Sequence, residues 1–151
     1  MIATHTNPVE RPTLGFMPMA ALEDVGEGEN FEQLWTRRVA DDLFQLCCIP
    51  FFAFGMALGD VVRAEASSGY VVKEVVRRSG NGVARVAVTR RDNEHEVHAK
   101  VHDLLGRLEY LYEWYATGYV AVSLDNAFPH DELFAGLATL GDAIEVERLL
   151  T

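Results

Sequence analysis

Short apolar stretches separated by turn residues characterise the chain from residue 31 to residue 81. The stretches are FEQLWTRRVA (31–40), LFQLCCI (43–49), DVVRAEA (60–66) and YVVKEVVRRS (70–79). Between them lie Asp41-Asp42, Ser67-Ser68-Gly69 and the strong hairpin signal SGNG (79–82). Several short strands within about fifty residues predict a small barrel or a curled antiparallel sheet.

From residue 82 onward the apolar pattern alternates between strand and helix periods. Strand patterns cover GVARVAVTRR (82–91), LEYLYEWY (108–115), YVAVSLD (119–125) and IEVERLL (144–150). A first helix starts after Asp92 or Asn93, ends at Gly106, and has the apolar face Val97, Val101, Leu104 and Leu105. A second helix runs from Pro129 to Leu140, with the apolar stripe Leu133, Phe134, Leu137 and Leu140. The resulting order, β-α-β-β-α-β, is that of the ferredoxin-like split motif.

Residues 1–30 show neither period. They hold three of the five prolines and end in the acidic, Gly-rich GEGEN (26–30), so we expect a flexible arm. The predicted fold class is α+β, with a small N-terminal β-barrel-like sheet (31–81) packed on a C-terminal ferredoxin-like βαββαβ unit (82–151). A chain of 151 residues is long enough to bury such a core without disulfides or metals.

The charge of the chain excludes several classes of partner. Thirteen basic against 23 acidic residues give a net charge of -10, which repels nucleic acid and anionic membrane surfaces. The sequence has no apolar run of membrane-spanning length, and MIATHTNPVERP is polar and lacks a signal-peptide pattern, so we expect a cytoplasmic location. The same charge favours encounter with a basic protein.

Three sequence features together resemble a known family. They are Leu-Trp at 34–35, IPFFAFGMALGDVV at 49–62 and RRSG at 77–80. This combination resembles a bacterial family of small proteins catalogued as a domain of unknown function, in which a Leu-Trp strand precedes an Ile-Pro-Phe-Phe segment and a Gly-Asp-Val-Val step. The resemblance covers about residues 31 to 150 and implies no activity.

The phenylalanines at 51, 52 and 54 are the main candidates for a binding surface. Because neighbouring strand residues point to opposite faces, Phe51, Phe52 and Phe54 cannot all enter one side of a core. They either cover the seam between the two halves or leave an exposed apolar groove. Tyr112 and Trp114 share one face of a later strand, with Glu109 and Glu113 beside them. These acids argue against RNA stacking and favour packing or a protein contact.

Two further clusters suggest ligands. Arg77, Arg78 and Arg85 belong to a basic group around the SGNG turn, which suits an anionic ligand or pairing with nearby acids. His95, His98 and His102 share one helix face, but nothing supplies the further ligand that a metal site needs, so no metal or cofactor is predicted.

Catalytic signatures are lacking. Ser79 does not lie in a GxSxG elbow, no P-loop or HExxH occurs, and the adjacent Cys47 and Cys48 suit neither a metal site nor an ordinary disulfide. The expected function is therefore a non-enzymatic cytoplasmic protein-binding module, for example an immunity protein that neutralises a basic toxin by occluding its active site. The alternative is a sensor of a small anionic ligand.

Overall fold

The computed structural model describes residues 1–23 and 27–149, and within them the chain is an α+β protein with three sheets and two α-helices. The N-terminal strands are β1 (Ile2–Ala3), β2 (Gly15–Phe16), β3 (Met19–Leu22), β4 (Asn30–Gln33), β5 (Thr36–Ala40), β6 (Leu43–Leu46), β7 (Val61–Ala64) and β8 (Val72–Arg77). The later elements are β9 (Asn81–Val88), α1 (Glu94–Arg107), β10 (Tyr112–Ala116), β11 (Tyr119–Asp125), α2 (Asp131–Ala138) and β12 (Ile144–Leu149). The expectation of an α+β fold is thus confirmed.

The second half contains a four-stranded sheet in the order β10-β11-β9-β12, in which all neighbours are antiparallel. Helices α1 and α2 cover one face of this sheet. The predicted apolar face of α1, Val97, Val101, Leu104 and Leu105, is buried in this core together with Leu133 and Leu137 of α2. Helical periodicity and burial therefore agree for α1. Helix α2 is shorter than the predicted 129–140, since Leu140 lies beyond its last residue and Phe134 is only half-buried.

The predicted end of the first helix at Gly106 is wrong by one residue, and the reason lies in the backbone. Helix α1 continues to Arg107, and Glu109 takes the left-handed conformation, with φ at 61°. The Glu109 N–H donates to Gly106 O and the Tyr110 N–H donates to Leu105 O. This is the Schellman pattern, with glutamate where glycine is usual.

The first half is not a barrel, which corrects the sequence prediction. Its five-stranded sheet has the order β2-β5-β6-β7-β8 and two free edges, and β1, β4 and β3 form a separate three-stranded sheet. Most side chains of edge strand β8 are exposed, as expected of a strand that has one neighbour and faces solvent. One isolated bridge between Met19 and Val71 links the two sheets.

Two strand assignments in this half were also wrong. The stretch 31–40 is two strands, because buried Leu34 and half-buried Trp35 mark the passage from the three-stranded to the five-stranded sheet. The SGNG turn does not close a hairpin, since β8 pairs with β7 whereas β9 pairs with β11 and β12. The turn residues allow the chain to reverse direction, but β8 and β9 belong to different sheets and do not pair with each other.

The N-terminal residues differ from the expected arm. Strand β1 pairs with β4, β2 with β5 and β3 with β4, so residues 1–23 belong to both N-terminal sheets. The strands are only two to four residues long, which is why no period is visible in the sequence. Part of the predicted arm, at 24–26, lies outside the described residues.

The segment 47–60, between β6 and β7, fills the seam between the halves. Its side chains Ile49, Phe51, Ala57 and Leu58 form a core cluster with Val83 of β9 and Ala121 of β11. These contacts use the face of the four-stranded sheet that the helices leave free. No helix among the described residues has the length and apolar character to cross a membrane.

Candidate functional site

Two buried carboxylates hold the irregular backbone of segment 47–60 in place. Oε1 of Glu32 accepts hydrogen bonds from the N–H groups of Phe52 and Ala53 at 2.9 and 2.8 Å, and Oε2 accepts one from Phe51 at 2.7 Å. Asp60 accepts from the N–H groups of Ala57 at 3.0 Å and Ser79 at 2.8 Å. Backbone donors that a strand would satisfy are therefore satisfied here by side chains.

His5 bridges Glu32 to the second half of the chain. Its Nε2 lies 2.7 Å from Glu32 Oε2 and its Nδ1 lies 2.8 Å from Glu113 Oε1. The other oxygen of Glu113 accepts from the Ile49 N–H at 2.6 Å. All three side chains are almost completely buried. The cluster thus ties the N-terminus, β4, segment 47–60 and β10 together.

The electrostatics of this cluster favour an imidazolium between two carboxylates. Burial alone would lower the pKa of His5, but interactions with Cys48, Glu113 and Glu32 raise it to about 12. Burial would raise the pKa of Glu32, yet the hydrogen bond and charge of His5 and the backbone donors lower it. Because no side chain of the cluster reaches solvent, its chemical role is to fix the fold.

The three phenylalanines have three different environments. Phe51 is buried and its ring stacks on His5 at a centroid distance of 4.2 Å. Phe52 is half-buried, and Phe54 is 62% exposed. The sequence argument that all three cannot share one interior face agrees with this arrangement. Phe51 has no surface to offer a partner, whereas Phe54 does.

Tyr115 and Tyr119 extend this exposed region. The ring of Phe52 lies 4.9 Å from that of Tyr115 and 5.3 Å from that of Tyr119. The Tyr119 hydroxyl donates to Phe51 O at 2.6 Å, and burial raises its pKa to about 12. We call Phe52, Phe54, Tyr115 and Tyr119 the aromatic surface. Tyr115 and Tyr119 place it on the four-stranded sheet as well as on segment 47–60.

A buried arginine supports the most exposed ring. Arg85, on β9, is 4% exposed and its guanidinium carbon lies 5.3 Å from the centre of the Phe54 ring. Its Nη2 donates to Ala53 O at 2.6 Å. The cation-π contact and the hydrogen bond hold the tip of segment 47–60 against the sheet. Phe54 is therefore displayed in a fixed position.

A groove of about 220 Å³ lies beside Phe54. Its walls are Ala21, Leu22, Glu23, Phe52, Ala53, Phe54 and Met56. The groove is mostly apolar, with one carboxylate at its edge. It joins β3 to the aromatic surface and is the exposed apolar feature that the sequence raised as an alternative.

The other predicted aromatic residues pack toward the helices. Tyr112 and Trp114 are half-buried against the core that contains α1 and α2. Trp114 lies 3.9 Å from the His98 ring, and its Nε1 donates to His102 at 3.3 Å. Glu113 points to the opposite face, into the His5 cluster, and so is inaccessible to a partner.

The predicted histidine face does not assemble into a metal site. His98 and His102 stack on each other at 5.9 Å, and His98 Nδ1 contacts Thr117 O, while His95 is exposed. Among the residues that the structure describes, no three or more potential ligands are arranged to hold a metal ion.

The three arginines of the predicted basic group lie in different environments. Arg77 is exposed on β8, and Arg78 contacts Gly55 O and lies 3.5 Å from Asp60. Only Arg85 is buried. The arginines therefore act singly, and two of them fasten segment 47–60.

Both cysteines are buried at the start of this segment. Burial raises the pKa of the Cys47 thiol and of the Cys48 thiol. A reactive cysteine needs the opposite shift and access to solvent. The thiols therefore have the character of core side chains.

His5, Glu32 and Tyr115 were missed as site residues by sequence reasoning. His5 and Glu113 are 108 residues apart, and nothing local marks such a pair. The sequence did contain one signal for Glu32. It is an isolated acid at a position of FEQLW that faces the core, and a buried carboxylate needs hydrogen-bond donors around it.

The fold and the seam define a class of small α+β proteins in which an irregular segment joins an N-terminal pair of sheets to a helix-covered sheet. The chain belongs to the family described as domain of unknown function DUF4265, whose model matches residues 32–147. It is also similar in structure to a hypothetical protein from Neisseria gonorrhoeae, with a TM-score of 0.68, 15% identity, and coverage of 91% of this chain and 95% of that one. At this identity the likeness concerns the fold alone. No curated protein matches the sequence.

Proposed function

We propose that this chain is a non-enzymatic, cytoplasmic protein-binding module that engages a basic protein. The specific form that we favour is an immunity protein that neutralises a toxin by covering its active site. The observation that carries the proposal is Phe54, 62% exposed beside an apolar groove and held by buried Arg85. Exposed aromatic anchors of this kind contribute much of the binding free energy at protein interfaces.

Preorganisation of the anchor supports this role. The backbone on the N-terminal side of Phe54 is fixed by the hydrogen bonds of Phe51, Phe52 and Ala53 to Glu32. Arg85 fixes the ring and the Ala53 carbonyl. This side of the interface would therefore lose little conformational entropy when a partner binds.

Charge supports a basic partner. The net charge is -10, and carboxylates lie at the border of the aromatic surface, with Glu23 in the groove and Glu145 and Glu147 near Arg85 and Tyr119. Acids around an apolar centre accelerate association with a basic protein and discriminate against acidic ones. Of the anchors expected from the sequence, Phe52 and Phe54 are the two that this proposal retains.

The test compares Phe54→Ala with Phe128→Ala. Phe128 is 64% exposed but lies in the connection before α2, so its truncation removes similar exposed apolar area elsewhere. Each variant is used to capture proteins from the native host at low salt, and the affinity for any stoichiometric partner is then measured. We expect at least about a tenfold loss for Phe54→Ala and no loss for Phe128→Ala.

Two results would count against the proposal. One is the absence of any stoichiometric partner for the wild-type chain. The other is an equal effect of the two substitutions, which would show that the partner does not bind through the aromatic surface.

We also propose that the second half is a ferredoxin-like unit. The order β10-β11-β9-β12, with α1 between β9 and β10 and α2 between β11 and β12, supports this arrangement. Such a sheet leaves one face free of helices, and segment 47–60 occupies that face.

An anionic-ligand sensor is the second candidate function. It is favoured by Arg85, whose Nε is buried and has no hydrogen-bond partner within the described part of the chain. A thermal-shift comparison with phosphate and small carboxylates tests it, since binding to the native state raises the unfolding midpoint. An Arg85→Met variant should lose any such shift.

A further inference from the structure

A cavity opens on the four-stranded sheet beside the aromatic surface. Its volume is about 330 Å³, at the lower end of the range for small-molecule sites. It lies on the same face of the sheet as segment 47–60, which Arg85 contacts at Ala53 O. Residues of β9, β11 and β12 line it, namely Arg85, Ala87, Tyr119, Glu145, Val146 and Glu147.

The strand register brings the polar side chains of this cavity together. Ala87 of β9 lies opposite both Tyr119 of β11 and Glu145 of β12. Two residues earlier on β9, and so on the same face, Arg85 lies opposite Glu147. Opposed residues of antiparallel strands have Cβ atoms only about 4.5–5.5 Å apart. The small side chain of Ala87 therefore forms the floor, and the larger side chains stand around it.

Arg85 is a buried cation without an ion pair. It is 4% exposed, and no carboxylate in the ranges 1–23 and 27–149 pairs with its guanidinium. Nη2 donates to Ala53 O at 2.6 Å, whereas Nε is buried and has no hydrogen-bond partner in the described part of the chain. An uncompensated buried charge is costly, so buried guanidinium groups are normally paired. An anionic group in the cavity would supply the missing partner.

The guanidinium is accessible to such a group through Nη1. This nitrogen also has no acceptor among the residues that the structure describes, and unlike Nε it is not enclosed. Its two N–H groups can therefore donate to a carboxylate in the cavity.

Glu145 and Glu147 determine which kind of anion fits. Both are exposed, so the lining carries two negative charges beside the positive charge of Arg85. The charges act on a common region, because the pKa of Tyr119, raised to about 12 mainly by burial, is lowered by Arg85 and raised by Glu147. A simple anion would be attracted by Arg85 and repelled by the glutamates. A ligand with a cationic group beside its anionic group would be attracted by both.

We propose that this cavity binds a free amino acid as its zwitterion. The carboxylate would accept hydrogen bonds from Nη1 of Arg85, and the ammonium group would donate to Glu145 and Glu147. An apolar side chain of the ligand would lie against Ala87 and the ring of Tyr119. The proposal names the ligand class of the anionic-ligand sensor, and it therefore rests on that second candidate function and not on the protein-binding role.

The first experiment titrates the full chain with L-phenylalanine and with two analogues that each keep one of its charges. N-acetyl-L-phenylalanine keeps the carboxylate, and L-phenylalaninamide keeps the ammonium group at about pH 6. Binding is followed by the backbone amide signals in NMR spectra. We expect saturable shifts at Arg85, Ala87 and Glu147 with L-phenylalanine. Both analogues should bind at least about tenfold more weakly, because each loses one set of charge-assisted hydrogen bonds.

One substitution gives opposite expectations for two of these ligands. Glu147→Gln changes an exposed side chain, so the fold should be unaffected. It should weaken L-phenylalanine by about fivefold or more, because the ammonium group loses a partner, and strengthen N-acetyl-L-phenylalanine, because a repulsion is removed. Glu96→Gln, in the first turn of α1, removes the same charge elsewhere and should leave both affinities unchanged.

Arg85→Met should abolish the binding of L-phenylalanine. Because Arg85 also holds Phe54, the unfolding midpoint of this variant is measured first. If the variant does not fold, the comparison of Glu147→Gln with Glu96→Gln decides the question.

The outcomes distinguish this inference from the functions proposed above. Equal binding of N-acetyl-L-phenylalanine would overturn the zwitterion and leave the anion sensor standing. Equal binding of L-phenylalaninamide, or an equal effect of Glu147→Gln and Glu96→Gln, would also overturn it. Absence of saturable shifts with all three compounds would overturn both the inference and the anion sensor, whereas the protein-binding role is decided by Phe54→Ala.

Discussion

At the scale of single residues, the buried carboxylate of Glu32 is hydrogen-bonded at both oxygens. Its Oε1 faces the N–H groups of Phe52 and Ala53, and its Oε2 faces His5 and the N–H of Phe51. An amide at this position would turn its NH₂ group toward donors in either orientation. Glu32→Gln should therefore lower the free energy of unfolding by about 3–5 kcal/mol, measured by urea denaturation.

The control for this prediction is Glu74→Gln. Glu74 pairs with Arg63 at 2.9 Å, but both side chains are largely exposed. Its substitution should change stability by less than about 1 kcal/mol. Similar losses of stability for the two variants would contradict the view that burial makes the contacts of Glu32 more stabilising than an exposed ion pair.

Glu109 permits a prediction in the opposite direction. Because glycine adopts the left-handed conformation without strain, Glu109→Gly should raise the free energy of unfolding by about 1 kcal/mol. The matched variant is Arg107→Gly at the last residue of α1, where the backbone is helical and glycine should cost about 1 kcal/mol. Urea denaturation of both decides whether the effect arises from the backbone conformation.

At the scale of elements, the connection before β7 packs closely on the connection between β8 and β9. A Cβ at Gly59 would lie 3.0 Å from Ser79 Cβ, and its φ is 86°. Gly80 has a similar φ of 91° but open space around it. Both substitutions by alanine carry backbone strain, and only Gly59→Ala adds a steric clash.

We therefore expect Gly59→Ala to be more destabilising than Gly80→Ala by about 1 kcal/mol or more. Thermal unfolding of the two variants under identical conditions measures the difference. Equal midpoints would mean that the two connections can move apart at Gly59 without cost, while the hydrogen bonds of Ser79 to Leu58 and Asp60 keep them joined.

At the scale of the whole molecule, the His5 cluster makes stability depend on pH. The folded pKa of His5 is raised to about 12 from an ordinary value of 6.5, so its contribution is complete below pH 6.5 and is lost as the pH rises above that value. The folded pKa of Glu32 is lowered from 4.5, so its contribution is lost as the pH falls below that value. Stability should therefore be greatest between about pH 4.5 and 6.5.

Urea denaturation between about pH 6.5 and 7.5 tests the alkaline side, because the thiols of the unfolded chain stay protonated in this range. A single histidine can contribute a slope of up to about 1.4 kcal/mol per pH unit. The variant His95→Gln removes an exposed histidine and should keep the wild-type slope. A flat profile for the wild type would refute the assignment of a charged imidazole to His5.

The sequence by itself determined the type and order of the elements of the second half, whereas the bounds of β10 and α2 differ from the predicted 108–115 and 129–140. The apolar face of α1 is a local pattern, and burial follows it because the direction of each side chain is fixed by the helical period. Only the tertiary structure decided which elements pair. In the structure β8 and β9 lie in different sheets despite the SGNG signal, and the N-terminal sheets are open where a barrel was predicted. Residues 1–23, predicted to be a flexible arm, contribute strands to these sheets. The tertiary structure also joined His5 to Glu113 across 108 residues, because such contacts depend on which distant groups meet when water is excluded, and no local period records that.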